Sequence, residues 1–320
     1  MKRLAVLALL AGCDSSPAKL DPDAAPDATP PFGGPCGSRA GARGLSMRSV
    51  MAGGLARTYL VYLPPGTPTD RMPLVLVHHG YSMSGQKMCD ITEYKALADA
   101  ERIAVAFPNG QGGPDVFQAP WNVGVNVCPT GSGGSQPPIA TGDDFAFVDA
   151  IKADVAADQC IDEEHVFATG FSMGGYFSHH LGCMRPDIRS VAPHSGGTHE
   201  LSGCINAKRP IIMFHGKSDS IIRPGCNDPA SPPAGGTQPA AAAWAARNGC
   251  AMTTTSRTVQ GGTCVRYDGC PVGGQVELCT FDGMGHCWAG GPSSAGVYAC
   301  PSYESATQLQ WRFWRTYAWD

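Results

Sequence analysis

Charge is scarce in this 320-residue chain. Asp, Glu, Lys and Arg make up 16% of it, the net charge is −4, and no basic patch stands out. A nucleic-acid surface needs clustered Lys and Arg, so that class of partner is excluded. Long hydrophobic runs are lacking as well. The apolar stretch 4–11 is too short to cross a bilayer as a helix. No internal repeat is found, and no Cys-x-x-Cys pair offers half of a zinc site. What is there instead is 43% hydrophobic residues, enough for a sizeable core, with 41 Gly and 27 Pro suited to a loop-rich exported domain.

The amino terminus reads as an export signal. Met1-Lys2-Arg3 is a positive segment, residues 4–11 are apolar, and Leu10-Ala11-Gly12-Cys13 follows. That tetrad resembles the lipobox of bacterial lipoproteins, which implies a signal peptide over 1–12 and a lipid on Cys13; an ordinary short signal peptide is the alternative. Residues 13–35, rich in Pro, Ala and Asp, read as a disordered tether. A single folded domain is expected over 36–320. Setting Cys13 aside, thirteen of the 14 cysteines remain, an odd number, so an exported chain would hold up to six bridges with one Cys over. Cys250 with Cys270 is one plausible pair.

Strand and helix patterns alternate through that domain. Apolar or alternating runs at 58–63, 74–77, 103–107, 166–169, 190–192, 211–214 and 276–281 read as strands. Residues 88–101, 145–156, 240–248 and 306–317 read as helices. Such alternation implies an α/β fold, a mostly parallel central sheet with helices on both faces. Polar chemistry is then expected at the carboxyl ends of the strands.

One run carries the most chemical information. The strand 166–169 leads into Gly170-Phe171-Ser172-Met173-Gly174, and a helix-compatible stretch follows. Strand, tight turn and helix form the context of a nucleophile elbow, with Ser172 at its tip and glycines where the backbones must pass. Two further candidates follow later strands: Asp219 after 211–214 and His286 after 276–281. The order Ser, Asp, His is that of α/β-hydrolases. A serine hydroxyl needs a base to take its proton, histidine titrates in the right range, and a buried carboxylate orients the imidazole. The expected oxyanion hole is the N–H of Met173, after the nucleophile, with that of Tyr81 in the segment His78-His79-Gly80-Tyr81.

Rival residues are each weaker. His179 and His180 follow the elbow on its helix, His194 ends a neighbouring strand, and His78 and His79 read as support for their loop. Asp228 and Asp282 are alternative acids; the first sits in a Pro-rich loop and the second only four residues before His286. Trp121 and Trp288 are candidate substrate walls or, equally, core or rim packing. The insert 128–138, rich in Gly, Ser and Pro, reads as a rim. No metal or cofactor is required by this chemistry.

Over roughly residues 50–320 the chain resembles the exported esterases that include polyhydroxybutyrate depolymerases, feruloyl esterases and acetylxylan esterases. The resemblance rests on residues 73–80, Phe107-Pro108-Asn109-Gly110, Trp121-Asn122, Asp143-Asp144 and the elbow. It continues through His215-Gly216 before Asp219, Trp244-Ala245, Asn248-Gly249-Cys250 and Gly285-His286 with Trp288. It implies an α/β-hydrolase fold, a triad of Ser172, Asp219 and His286, and a carboxylic ester of a polymer as substrate. Ala289 stands where the family often has proline, and Tyr81-Ser82-Met83 departs from its usual loop; both bear on substrate choice. A catalytically silent polymer- or sugar-binding protein on the same scaffold, and an acyltransferase, are the alternatives.

Overall fold

The computed structural model of the chain describes residues 43–66, 70–113, 118–124, 138–197, 201–222 and 238–319. The leader 1–12, the tether 13–35 with Cys13, Asp228 and most of the 128–138 insert lie outside the described residues. One ten-stranded sheet organises the rest. Its strands are β1 (Gly44–Ala52), β2 (Leu55–Leu63), β3 (Met72–His78), β4 (Ala104–Pro108), β5 (Ile161–Phe171), β6 (Ser190–His194), β7 (Ile211–Gly216), β8 (Thr254–Val259), β9 (Gly262–Tyr267) and β10 (Val276–Phe281). They lie in the order β1-β2-β4-β3-β5-β6-β7-β10-β9-β8. The six central strands from β4 to β10 are parallel, and an antiparallel pair closes each edge.

Burial on both faces explains the unbroken apolar runs. In β3, Leu74 and Leu76 point into one core and Val75 and Val77 into the other. The first core is covered by α3 (Asp144–Asp158), α4 (Met173–Met184) and α5 (Gln238–Asn248). The second is covered by α1 (Gly85–Thr92), α2 (Tyr94–Glu101) and α6 (Ala306–Tyr317). Every strand and helix expected from the sequence is present, with two differences. The stretch 88–101 is two helices, because Glu93 adopts a left-handed conformation (φ 56°). The carbonyl that ends α1, Thr92 O, is taken by the hydroxyl of Thr307 on α6 instead of continuing a helix. The strands β1, β8 and β9 have no counterpart in the sequence reading. They are edge elements, half-buried in β1 and largely exposed in β8, so no apolar run marks them.

Disulfides tie the periphery to the sheet. Cys250–Cys270, the pair expected from the sequence, is formed, as are Cys183–Cys204, Cys264–Cys279 and Cys287–Cys300. Cys89 and Cys160 are also bridged, and no cysteine is free among the described residues. Cys264 and Cys279 lie near Glu277, but both sulfurs are bonded to each other and not available to a metal. No described helix is long and apolar enough to cross a membrane.

The loops at the carboxyl edge hang on a buried ion pair. Arg57 of β2 donates to Asp144 Oδ1 (2.7 Å) and to Asn109 O (3.2 Å), and its guanidinium lies 4.2 Å from the centre of the Phe147 ring. The other oxygen of Asp144 accepts the Asn122 N–H at 2.6 Å. Both charged side chains are about fully enclosed, 3% and 1% exposed. Asp144→Ala would therefore leave an uncompensated buried guanidinium and is expected to cost about 3–5 kcal/mol. Asp282→Ala, which removes only the exposed partner of Lys217, is expected to cost at most about 1 kcal/mol. Urea unfolding of the two variants checks this, and equal losses would refute it.

Candidate active site

The turn from β5 into α4 sets the site. Ser172 has φ 57° and ψ −117°, a conformation non-glycine residues avoid and that costs on the order of 1–3 kcal/mol. It is held by its own N–H on His194 O (2.9 Å) and by its carbonyl, which accepts from Gly175 N (2.9 Å) and Tyr176 N (3.1 Å). The glycines around it are required by space. A Cβ at position 174 would lie 2.2 Å from His78 O, and one at 170 would lie 2.4 Å from Gly174 O. The loop after β3 rests directly on Ser172: a Cβ on Gly80 would meet Ser172 Cβ at 3.1 Å.

Asp219 and His286 come together from the ends of β7 and β10, which are neighbours in the sheet. His286 Nδ1 lies 2.7 Å from Asp219 Oδ2. The carboxylate is fully enclosed and its other oxygen accepts two backbone N–H groups, Ile221 and Ile222, both at 2.9 Å. Its position is thus fixed by its own turn, and it fixes the imidazole with Nε2 left over for a proton. Ser172 and His286 line one cavity of about 240 Å³. No hydrogen bond joins them, a contact that in such sites often tightens only when substrate binds. Asp282, the rival acid, is exposed and paired with Lys217.

It is Gly216, rather than Gly285, that lets the His286 loop approach. A Cβ at 216 would lie 2.2 Å from Met284 O, whereas one at 285 meets nothing within 4 Å. The N–H groups of Met173 and Tyr81 have no hydrogen-bond acceptor among the described residues, and both residues line the cavity beside Ser172. They are thus positioned as donors to a charge that develops there.

The cavity wall consists of Tyr81, Met83, Phe171, Tyr176, Ile222 and Tyr298, with Ser82 and Ile221 at the rim. It carries no ionisable carboxylate or ammonium. Trp121 and Trp288, read from sequence as walls or packing, are packing: both are fully buried and neither lines the cavity. Trp121 spends its N–H on His79 O (2.8 Å) and stacks on Phe177; Trp288 spends its own on Thr307 Oγ1 (3.2 Å). Of the two departures from the family pattern, the 81–83 segment does line the cavity. Ala289 is buried under it, with its N–H on His194. Tyr176, Ile222 and Tyr298 were not singled out from sequence, since nothing in their local pattern distinguishes wall from core.

The other histidines brace the site. His79 stands between Gly80 O (2.7 Å) and Gly110 N, which donates to Nε2 at 2.8 Å, so the loops after β3 and β4 are joined through one neutral ring. His78 bonds Thr169 O (3.0 Å), His194 accepts from Ala289 N (3.1 Å), and His215 bonds Ile222 O (2.9 Å) behind Asp219. Burial pulls all four below the usual imidazole range, His78 to about 3 and His79 to about 4. His179 accepts from Trp244 and belongs to the core.

Residues 57–223, just over half of the chain, match the family described as esterase PHB depolymerase. Feruloyl esterase B of Piromyces equi is 29% identical over 244 residues, covering 72% of this chain and 42% of that protein. Feruloyl esterase C of Emericella nidulans is 37% identical over 164 residues, covering 50% and 55%. The chain thus spans about half the length of these curated relatives. Among solved structures, an S-formylglutathione hydrolase from Agrobacterium tumefaciens superposes with a TM-score of 0.52 at 15% identity, over 87% of this chain and 98% of that one. An acetyl xylan esterase from Aspergillus awamori does so at 0.51 and 14%, over 75% and 94%. At this identity the likeness shows the fold, that of α/β-hydrolases.

Two outcomes follow from the bracing. Folded His78, His79, His194 and His215 stay neutral where the unfolded chain takes up protons near pH 6.5. Stability is therefore full above that pH and falls as pH drops through about pH 4 to 3, with about 2 kcal/mol lost by pH 5 for each of His78 and His79 and a loss in the same direction from His194 and His215. A urea midpoint unchanged between pH 7 and pH 5 would contradict this. Gly216→Ala is expected to destabilise by about 1–3 kcal/mol through the clash with Met284 O, while Gly285→Ala shifts the thermal midpoint far less. Reversed effects would show that the loop approaches by another route.

Proposed function

The chain belongs to the esterase PHB depolymerase family, and on that premise we propose that it is a serine carboxylic ester hydrolase acting on polymer-borne esters, with an aromatic acyl group preferred. The observation that carries this reading is a strained Ser172 and an Asp219-held His286 on one uncharged, aromatic-walled cavity. Ser172 Oγ attacks the ester carbonyl carbon as His286 Nε2 takes its proton. Asp219 Oδ2 holds Nδ1–H and stabilises the imidazolium. The Met173 and Tyr81 N–H groups receive the carbonyl oxygen as it becomes negative. His286 then gives its proton to the departing alcohol, and water repeats the cycle on the acyl-enzyme, returning Ser172 and releasing the acid.

The wall chemistry narrows the acyl group. Tyr81 and Tyr298 offer partly exposed rings and Met83 a polarisable thioether, backed by the buried Phe171 and Tyr176, which suits a flat, neutral group. An acetyl group would leave most of about 240 Å³ unfilled. That the relatives named above are feruloyl esterases supports a feruloyl-type ester over hydroxybutyrate or acetyl. The disulfides suit an oxidising compartment outside the cytoplasm. A lipid on Cys13 remains part of this proposal.

Acid release from methyl ferulate, acetylated xylan and a poly-hydroxybutyrate suspension tests the reading. The ferulate ester is expected to be turned over best. Ser172→Ala should abolish turnover and fluorophosphonate labelling, and Asp219→Asn should lower kcat by about 10³–10⁴. Turnover that survives Ser172→Ala would refute the mechanism. A strong preference for acetylated xylan or poly-hydroxybutyrate would refute the aromatic assignment while keeping the chemistry. Labelling without turnover of any ester would favour acyl transfer, and neither would favour a binding protein.

A further inference from the structure

Four bridges are defined at both ends among the described residues, and one of them flanks the site. Cys183–Cys204 ties the end of α4 to the 3-10 turn Leu201–Gly203. Cys264–Cys279 joins residues already paired across β9 and β10. Cys250–Cys270 sits at the amino end of β10, the edge of the sheet away from Ser172. Cys287–Cys300 differs. Cys287 follows His286 directly, and Cys300 lies two residues beyond Tyr298, a wall of the cavity.

The middle of the loop between these two cysteines has little else to hold it. Its middle, the 3-10 segment Ser293–Tyr298, has no buried residue, and Val297 is 85% exposed. Its ends pair only as the two-residue strands β11 (Trp288–Ala289) and β12 (Ala299–Cys300), a ladder too short to be stable alone. Near the bridge the loop is well anchored. The buried Trp288 ring lies 4.7 Å from His194, and Gly290 N–H donates to Cys300 O at 2.9 Å. Across the mouth, Lys87 Nζ of α1 donates to Ala295 O at 2.7 Å. Phe171 touches both functional ends: its ring centre is 4.6 Å from that of His286 and 6.4 Å from that of Tyr298.

We propose that the Cys287–Cys300 bridge is a positioning element of the reaction, coupling the base to the acyl wall. It rests on the serine-esterase reading above. With the bridge closed, the backbone after His286 and the backbone after Tyr298 are one rigid unit. An acyl group seated against Tyr298 then presents its carbonyl to Ser172 at a set distance from His286. With the bridge open, Tyr298 is held by its ring contact with Phe171, a two-residue ladder and the Lys87 bond, and His286 loses the covalent tie one residue away while the buried Trp288 stays in place. A displacement on the order of 1 Å in such a group can cost about a hundredfold in rate. Backbone hydrogen bonds hold Ser172 and Asp219 in their turns; the loop that carries Tyr298 has a covalent link in addition.

The test compares Cys287→Ser/Cys300→Ser with Cys250→Ser/Cys270→Ser in the full chain. Thermal midpoint, kcat, KM and the pH profile of kcat/KM are measured on methyl ferulate and p-nitrophenyl acetate. The site bridge variant is expected to lose at least about tenfold in kcat on both esters, to raise KM for the ferulate, and to shift the acid limb of its pH profile. The distant bridge variant should keep kcat within about twofold and leave that limb in place, even where its midpoint falls as far. Tyr298→Ala, with the bridge intact, should raise KM for the ferulate without moving the acid limb. A folded site variant with kcat within twofold of the parent overturns the proposal, as do losses in both variants that simply follow the midpoint. If the site variant does not fold, the parent is reduced in steps, alkylated and mapped by mass spectrometry. Activity must then fall with the opening of Cys287–Cys300, and activity that persists in molecules open there overturns the proposal equally. Failure of the esterase reading is distinct: the parent itself would show no Ser172-dependent turnover.

Discussion

One backbone contact sets the geometry of the whole site. At the β5–α4 turn, Gly174 lies so close to His78 O that a Cβ there would stand 2.2 Å from it. Because β3 and β5 are adjacent parallel strands, that contact brings the end of β3 against the start of α4. Met173 N–H at the helix start and Tyr81 N–H just beyond β3 consequently line the same cavity. The strain at Ser172 follows as well. The helix must turn back over the sheet at once, and only a positive φ at the tip permits it. Remove the close approach and Ser172, the Met173 and Tyr81 N–H groups and the entry of α4 lose their common reference.

The buried histidines keep that geometry without adding charge. A neutral imidazole has one donor and one acceptor, so it can join two segments at right angles to the chain. His79 does this between Gly80 and Gly110, and His194 meets Ala289 beneath the loop of His286. His194 and His215 also lie near enough to His286 that a charge on either would oppose a charge on it. Their neutrality therefore serves catalysis in the proposed mechanism, since His286 is the ring that has to become cationic. The cost is acid sensitivity, because the same burial that keeps them neutral penalises protonation in the folded state.

How much of this was legible in the sequence depended on where the physics was local. The buried parallel strands announce themselves, because burial on both faces requires a continuous apolar run such as 74–77. The elbow is legible for the same reason: the steric demand at 170 and 174 is met within five residues. Asp219 and His286 were legible through their order after predicted strands, and the structure brings them to 2.7 Å. The break at Glu93 was not, since it depends on Thr307, more than 200 positions away. Nor were Trp121 and Trp288 separable from wall residues. A tryptophan beside a strand end looks the same whether its face meets substrate or Phe177 and His194. The edge strands β1 and β8 left no signal because exposed strands carry mixed residues.

The division between legible and hidden parts follows how the site is built. Ser172, Asp219 and His286, the proposed reacting groups, follow the ends of β5, β7 and β10 by one, three and five residues, on turns anchored to those strands. The wall comes from connections: the 81–83 loop, Ile221 and Ile222 after Asp219, Tyr176 on α4, and Tyr298 on the bridged loop. Connections tolerate change as long as their ends stay anchored, so the acyl group accepted can vary while the reacting groups do not. The 81–83 segment shows the logic at its tightest, since Gly80 rests on Ser172 while Tyr81 and Met83 face the cavity. A change there cannot avoid touching Ser172. A change at the Tyr298 side chain can, because its links to His286 run through the bridged backbone and the Phe171 ring and not through Ser172. Of all the walls, Tyr298 is therefore the one through which substrate choice can change with the least effect on the chemistry.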